Sequence, residues 1–457
     1  MLNPLYGQAD AGAIWNRTFN DFMTKSRTDG GAGHERCPND PCVYSREDAD
    51  SKSRVTLPLY VDDGKVFYDS GKAGEACGQD DMARLTKEFD IKFGKVDPVE
   101  DYFLGSNRKT AGLNVTTLTC KTYIEQMVGR YLPGEDLDTP CRRFPGEWGS
   151  TPASDQLQQA FEAAVATRPV ATPELTKRYG SLYGSIMHTM KWRGEICVAM
   201  KRLGACLSFP TQELYDCMER VLVYLYRTRD LGVTYSKFAE GANELKAYAD
   251  SDWGVTRSTT GFCIMLGGAS IAHGSRRQHC ITMSSCEAEL VALCECAMEL
   301  IYIASLLAFV GHVIDGPIKC FTDNKGAHDL CHRYTSAQNS RHVDRKLFKM
   351  RELRGAGVVE VAHVPTEHNP ADLYTKILGS QPFARHRATV LGLAAGQGAK
   401  ASRRASGESS TASADTNLAA IERARIEIDV HGAVLTSAGR YWENAMWSAP
   451  KHSGGST

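Results

Sequence analysis

Three features are scarce in this sequence, and each scarcity excludes a class of protein. Neither sign of charge is in excess, because 53 basic side chains face 54 acidic ones over 457 residues, so any nucleic-acid signal must be local. The longest apolar run, around residues 300–311, falls short of the roughly 20 residues that span a bilayer. No charged-then-apolar segment follows Met1, so neither a secretory signal nor a membrane partner is expected.

The 15 cysteines also lack the spacing of a structural site. Their number is odd and they are scattered, which favours a reduced, intracellular environment, cytoplasmic or nuclear, over a disulfide framework. Cys37 and Cys42, like Cys294 and Cys296, have no second ligand pair at zinc spacing. A zinc site is therefore not predicted.

What the chain does contain is an alternation of strand-like and helix-like segments between about residues 241 and 380. Three antiparallel strands are predicted first, with hairpin breaks at 267–268 and 275–277 and a third strand completed by 279–282. A long helix from about Cys286 to Phe309 follows, then a fourth strand, a basic helix, a last strand and a final helix from Pro370. This order predicts an α/β domain with a mixed sheet and flanking helices.

Acids stand at the ends of four of these predicted elements: Asp250, Glu289, Asp323 and Asp372. Carboxylates brought together repel one another, and divalent cations relieve the repulsion. Hard oxygen ligands favour Mg²⁺, with Mn²⁺ as a substitute. Two such ions about 3.5–4 Å apart can activate a water and stabilise a leaving oxygen. The pattern predicts a two-ion site that needs no small-molecule cofactor.

Each acid also has a structural interpretation. Asp252 competes with the strand-end acid as a ligand, and Glu287 fits a capping box with Ser284 at the start of the long helix. Asp323, in a Thr-Asp-Asn sequence, fits an Asx-turn. Asp372 fits an acid that interacts with a helix dipole. The case for a metal site therefore depends on all four acids occurring together.

Several motifs follow one another in the same segment: Tyr248-x-Asp250-x-Asp252-Trp253, Ser258-Thr259-Thr260-Gly261, Ser284-Ser285-x-Glu287-Ala288-Glu289, Thr322-Asp323-Asn324, Arg341-His342-Val343-Asp344, Val364-Pro365-Thr366-Glu367 and Ala371-Asp372-x-x-Thr375-Lys376. Together they resemble the ribonuclease H domain of copia-type retrotransposons. The resemblance implies hydrolysis of the RNA strand of an RNA–DNA hybrid, with Asp250, Asp323 and Asp372 as metal ligands. It also implies Glu289 as the helix ligand, with Glu287 as the second choice.

Contacts to the substrate are predicted on the basic helix. Residues 341–354 carry six Lys or Arg against two acids, a net charge of +4, which suits phosphate contacts. The candidate binding residues are Arg341, His342, Arg345, Lys346 and Lys349. A solvated helix face is the alternative. His368, four residues before Asp372, is a candidate proton shuttle or an exposed loop histidine.

The first part of the chain carries a second set of motifs: Leu5-Tyr6-Gly7, Asp40-Pro41-Cys42-Val43-Tyr44, Tyr60-Val61-Asp62-Asp63 and Tyr102-Phe103-Leu104-Gly105. On residues alone, Asp62 and Asp63 indicate either a cation site or a hairpin turn. The motifs resemble the palm of copia-type reverse transcriptases, in which such acids share metals with an upstream aspartate. The chain begins after that aspartate and after the fingers, and Pro58 removes a ladder donor. Polymerase activity from this chain alone is therefore not expected.

These observations divide the chain into a partial palm (1–150), a helical connector (151–240), a ribonuclease H-like domain (241–380) and a low-complexity, largely disordered tail (381–457). In the connector, Glu213 to Arg227 repeats apolar residues at helical spacing after Thr211, a good N-cap. The predicted function is a metal-dependent endonuclease acting on RNA–DNA hybrids, with other chains of the same element as further partners. The alternative is a decayed or domesticated element that binds nucleic acid without cutting it.

Overall fold

A computed structural model of the chain describes residues 10–60, 63–91, 100–111, 114–254, 257–312, 314, 316–332 and 341–393. Within these ranges, the side chains of Asp63, Glu100, Asp101 and residues 341–344 are not described. Asp62 and the predicted tail from residue 394 onward lie outside the described residues.

The first unit packs two helices on a small sheet of mainly antiparallel strands. Its elements are α1 (Ala11–Thr24), β1 (Glu35–Arg36), β2 (Val43–Glu47), β3 (Arg54–Tyr60), β4 (Asp63–Gly64), β5 (Phe67–Tyr68) and α2 (Lys72–Phe89). Phe19, Met23, Tyr44 and Leu85 are buried between the helices and the strands. Pro58 lies within β3 opposite Val43, so the strand forms although this residue has no N–H to donate.

A second sheet joins the first part of the chain to the connector. It contains β6 (Glu100–Phe103), β7 (Ser106–Ala111), β8 (Val115–Thr119) and β9 (Val233–Ser236), paired antiparallel in that order. The segment predicted as a helical connector therefore also contains a strand at its end, because β9 returns to pair with β8. Three of its four residues are buried and Tyr235 is half-buried, so this strand at the end of the sheet is covered by the rest of the fold.

The helices of the connector form the largest core of the molecule. Helix α3 (Lys121–Tyr131) precedes the connector and packs with its helices, which are α4 (Asp155–Thr167), α5 (Pro173–Thr189), α6 (Cys197–Ala205) and α7 (Gln212–Arg227). The Thr211 side chain caps α7 by accepting from the backbone N–H of Leu214 at 3.2 Å, as the sequence predicts. This core continues onto one face of the third sheet, where it includes Cys263 and Met265.

The third sheet confirms the predicted fold class, a ribonuclease H-like mixed sheet with flanking helices. Its strand order is β12-β11-β10-β13-β14, with β10, β11 and β12 antiparallel and β13 and β14 parallel to β10. The elements are β10 (Lys246–Asp252), β11 (Thr259–Leu266), β12 (Ala269–Arg277), α8 (Ser285–Phe309), β13 (Ile318–Thr322), α9 (Lys325–His332), α10 (Arg341–Gly355), β14 (Val359–His363) and α11 (Ser380–Val390).

Several predicted details of this unit are wrong. Residues 275–277 continue β12, since they pair with 259–261 of β11, so they do not form a hairpin break and residues 279–282 do not complete the strand. The short helix α9 is absent from the predicted order. Pro370–Tyr374 is a single 3-10 turn, and α11 follows it where a linker was predicted, because Phe383 and Val390 pack into the connector core.

Helix α8 is long and apolar enough, by length and composition, to cross a membrane. In this fold its buried side chains pack instead against β10 and β11 and against α10. A helix that is apolar on most of its surface is also what the centre of a layered domain requires. The sheet therefore lies between α8 on one face and the connector on the other, and this arrangement fixes the position of the acids described next.

Candidate active site

Three predicted acids meet at one edge of the third sheet. Asp250 lies within β10, opposite Gly261 of β11, and Asp323 follows the last residue of the adjacent parallel strand β13. Glu289 projects from the first turns of α8, which packs on β10. One carboxylate oxygen from each of the three residues lies within 4.8 Å of the others.

Glu289 is held by one of its two carboxylate oxygens. Its Oε1 accepts hydrogen bonds from the backbone N–H of Ser251 at 3.1 Å and from the Ser251 hydroxyl at 3.0 Å. Its Oε2 is buried and has no hydrogen-bond partner among the described residues. A buried carboxylate oxygen without a donor is unfavourable, and an oxygen-rich cluster around it fits a hard divalent cation.

Asp372 approaches the same edge from the 3-10 turn that follows β14. Asn369 anchors this turn: its side-chain amide donates to the Ala249 carbonyl at 3.0 Å, and its side-chain oxygen accepts from the Ala371 N–H at 3.2 Å. The Asp372 side chain is largely buried and is bound to Lys376, whose ammonium lies 2.6 Å from Asp372 Oδ1. The turn thus brings a fourth acid and a lysine to the cluster.

Lys376 also binds Asp250, at 3.3 Å from its carboxylate. The Thr375 hydroxyl donates a hydrogen bond to Oδ2 of the same carboxylate. This close approach needs a glycine on β11, because a Cβ at Gly261 would lie 2.5 Å from Thr375 Cγ2 and 3.1 Å from the Ala371 carbonyl oxygen. The Thr-Thr-Gly sequence of β11 therefore admits the turn that carries the fourth acid.

The electrostatics of the cluster reflect crowded carboxylates. Burial raises the pKa of Asp250 to about 7, and the neighbouring acids Asp372 and Asp323 add to the shift while Lys376 opposes it. Burial likewise raises the pKa of Glu289 to about 8, with further contributions from Asp250 and Asp323. For Lys376, burial acts to lower the pKa, but Asp250 and Asp372 raise it well above the ordinary lysine value. Several perturbed pKa values in one cluster are typical of functional sites.

The contacts of Glu287, Asp252 and Asn324 distinguish the metal-ligand interpretation of the acids from the structural one. Glu287 lies at the start of α8, where its N–H donates to Ser284 Oγ at 3.2 Å and its Oε2 accepts from the Met283 N–H at 2.7 Å; it therefore has the capping contacts. Asp252 lies in β10 outside the three-acid group. The cap of α9 is Asn324, whose side-chain oxygen accepts from the Ala327 N–H at 2.9 Å.

The predicted nucleic-acid contacts lie on α10. The side chains of Arg341 and His342 are not among those described. Arg345 is exposed, whereas Lys346 forms an ion pair with Glu295 of α8 at 3.0 Å and Lys349 forms one with Glu352 at 3.2 Å. Two of the predicted basic contacts are thus shared with acids of the protein.

Three predicted residues remain: His368, Asp62 and Asp63. His368 is exposed in the short 3-10 turn Thr366–His368, before the turn that carries Asp372. In the first unit, the backbone of Asp63 pairs with Tyr60 across the β3–β4 hairpin, its side chain is not described, and Asp62 lies outside the described residues.

Sequence reasoning assigned no role to Ser251, Asn369, Thr375 or Lys376, all of which contact the acids or hold the turn. Two of them have a recognisable signal. Lys376 follows Asp372 by four residues, the spacing of a helical ion pair, and Thr375 precedes it in the same motif. The contacts of Ser251 and Asn369 are made to residues 38 and 120 positions away, so no local pattern reveals them.

Comparison with curated proteins finds Pol polyproteins of plant transposons among the similar chains. A Pol polyprotein from the tobacco (Nicotiana tabacum) transposon TNT 1-94 is 26% identical over 83% of this chain and 27% of its own length. A Pol polyprotein from the Arabidopsis thaliana transposon RE1 is 30% identical over 73% of this chain and 21% of its own length. This chain therefore spans about a quarter or less of these relatives.

Two further comparisons add little. The chain matches no protein-family model. Among solved structures, the ribonuclease H1 of Halobacterium salinarum is 20% identical over 28% of this chain and 89% of its own, with a TM-score of 0.22. A TM-score this low gives no support for a function, and the function is inferred from the site.

Proposed function

Because the chain belongs to the copia-type retrotransposon Pol polyproteins, we propose that its ribonuclease H-like unit is a metal-dependent endonuclease that hydrolyses the RNA strand of RNA–DNA hybrids. One observation carries the proposal. Acids from β10, α8 and the end of β13, separated by up to 73 residues in the chain (323 − 250), bring carboxylate oxygens within 4.8 Å of one another.

The proposed cofactor is a pair of Mg²⁺ ions, for which Mn²⁺ can substitute. Asp250, Glu289, Asp323 and Asp372 would hold them, since carboxylate oxygens are the ligands these ions prefer. The buried Glu289 Oε2 that has no donor supports a cation at this place. When bound, such ions supply a water activated for attack and a counter-charge for the leaving 3′ oxygen.

The protein groups around the acids have a positioning role in this proposal. The Ser251 hydroxyl and N–H fix the orientation of Glu289, and Thr375 and Asn369 fix Asp250 and the turn that carries Asp372. Ligands held by such outer contacts keep their geometry when the charge around them changes. The acids are thereby arranged before the substrate arrives, which lowers the cost of organising the site during the reaction.

Substrate binding is proposed for the basic face of α10. The helix carries the net charge of +4 noted in the sequence, and its packing against α8 and α9 brings it to the unit that holds the acids. Lysine and arginine side chains bind a nucleic-acid backbone largely through phosphates and release counterions, so the affinity should fall with salt. Arg345, which is exposed, is the described side chain best presented for such a contact.

The deciding experiment is cleavage of a labelled RNA–DNA hybrid in the presence of Mg²⁺. Wild-type protein should shorten the RNA strand and leave the DNA strand intact, and EDTA should stop the reaction. Asp323→Asn should lower the rate by about 10²–10³-fold or more, the loss expected when one preorganised electrostatic contact is removed. Asp252→Asn is the matched control, because Asp252 is on the same strand as Asp250 but outside the acid cluster; it should retain activity.

Two results would reject the nuclease. One is RNA cleavage that survives Asp323→Asn, and the other is a wild-type protein that cuts nothing in Mg²⁺ or Mn²⁺. Retained hybrid binding without turnover would favour the alternative, an element that has kept nucleic-acid binding and lost catalysis.

A further inference from the structure

Lys376 lies between two of the proposed metal ligands. Its ammonium is 2.6 Å from Asp372 Oδ1 and 3.3 Å from the Asp250 carboxylate. The two acid side chains are only 9% and 2% exposed, whereas the lysine side chain is 36% exposed. A cation of the protein itself is therefore fixed at the place where two buried acids approach each other.

This contact makes the two halves of the acid cluster unequal. On the side of Asp372, one positive charge already balances part of the carboxylate charge. On the side of Glu289, the buried Oε2 has no donor, and its Oε1 receives only the neutral donors of Ser251. Since like charges at close range repel strongly away from bulk water, an added cation meets less resistance on the Glu289 side.

We propose that Lys376 is a positioning residue that acts as a built-in counter-cation: it holds Asp250 and Asp372 together in the metal-free protein and weakens the binding of one of the two divalent ions. The inference rests on the proposed function. An ion held through Asp372 would have to displace the ammonium, whereas an ion held mainly by Glu289 and Asp323 would not.

The flexibility and the partial exposure of the Lys376 side chain allow an incoming ion to displace it. Its charge stands at the end of a flexible four-carbon stem, unlike the planar and more rigid guanidinium of arginine. The partial exposure of the side chain leaves it a route to solvent. The 3-10 turn and Asn369 hold Asp372 independently of the lysine, so the acid keeps its position when the ammonium leaves.

The test is a Mn²⁺ titration of the full chain without substrate, in which free Mn²⁺ is counted by electron paramagnetic resonance. Wild-type protein should bind one ion tightly and a second more weakly. Lys376→Met keeps the length of the stem and removes the charge, so the second ion should bind about tenfold or more tightly. Lys319→Met is the matched control: Lys319 is on β13, four residues before Asp323, and pairs with Glu244 at 2.9 Å, so its removal should leave both affinities unchanged.

Lys376→Arg covers the case in which Lys376→Met does not fold, because it retains the charge and should keep the second ion weak or weaken it further. Tightening of the second ion by Arg, or unchanged or weaker binding with Met, would overturn the inference while leaving the nuclease proposal intact. A wild-type protein that binds no Mn²⁺ would reject the proposed function, and this inference with it.

Discussion

Asp81 of the first unit and Asp250 of the third sheet are equally buried, each about 1% exposed, yet their surroundings are opposite. Asp81 accepts hydrogen bonds from Arg27 at 2.9 Å, His34 at 3.0 Å and Arg46 at 2.9 Å. Burial acts to raise its pKa, but His34 and Arg46 outweigh burial and lower it. At Asp250, burial and neighbouring acids raise the pKa to about 7, against one lysine.

The difference separates a structural acid from one that we propose to be a metal ligand. Asp81 has donors for both of its oxygens, so its charge is balanced within the protein and it links α2 to the strands beneath. The cluster around Asp250 is left with more carboxylates than cations and with a donorless oxygen on Glu289. A folded protein retains such an imbalance where a ligand, here proposed to be a pair of divalent ions, restores the balance.

The largest expected effect is the loss of stability when Asp81, the structural acid, is removed. Asp81→Ala leaves Arg46 and His34 buried without their shared acceptor, and removal of one partner from a buried ion pair costs about 3–5 kcal/mol. The first unit should lose most of its stability, seen as faster amide hydrogen exchange in α2, where this residue lies.

The neighbouring residue supplies the control. Asp80 is 48% exposed and pairs with Arg84 at 3.2 Å and with Arg27, and exposed pairs contribute about 0–1 kcal/mol each. Asp80→Ala should therefore leave the exchange in α2 nearly unchanged. Equal effects of the two substitutions would mean that the buried network around Asp81 does not hold the unit together.

A second prediction concerns the pH dependence of stability that follows from the raised pKa values of Asp250 and Glu289. The pKa values of Asp250 and Glu289 are raised in the folded protein, to about 7 and about 8, whereas the unfolded chain releases these protons near about pH 4. Between these limits the folded state binds more protons than the unfolded state, so the stability of the metal-free unit falls as pH rises to about 8. Above that pH the penalty is complete and constant.

Thermal melting in EDTA and in Mg²⁺ from pH 5 to pH 9 would check this slope. The melting temperature in EDTA should fall toward pH 8, and the rise produced by Mg²⁺ should grow over the same range, because the ions bind the ionised carboxylates. Asp250→Asn with Glu289→Gln should flatten both trends. A slope that persists in the double variant would assign it to other groups.

Much of this arrangement could be predicted from the sequence, because it depends on interactions between residues close together in the chain. Strand ends, helix starts and capping patterns depend on neighbours within a few residues, which is why α7, α8 and β13 lie close to their predicted bounds. The third strand was misplaced because Ser-Arg-Arg at 275–277 has the composition of a turn, and only pairing with β11 extends β12 through it.

What could not be predicted depends on contacts between distant parts of the chain. The buried network of Asp81 joins residues 34, 46 and 81, and nothing in their spacing distinguishes that acid from Asp80 beside it. The contact of Lys376 with Asp250 is equally invisible, because residues 250 and 376 meet only after the 3-10 turn has packed on β11. Local patterns indicate where an acid lies, and tertiary packing decides whether it is balanced.

The smallest expected effect on stability comes from a comparison of Glu287 and Glu289, which lie about half a turn apart on α8. Glu287 accepts from the Met283 N–H, a capping contact whose loss in Glu287→Ala should cost about 0.5–2 kcal/mol, while hybrid cleavage persists. Glu289→Gln should do the reverse: cleavage is lost, and stability in EDTA is kept or raised because a crowded charge is gone. Urea unfolding and the hybrid assay on both variants would check this pair, and loss of cleavage in Glu287→Ala alone would exchange their roles.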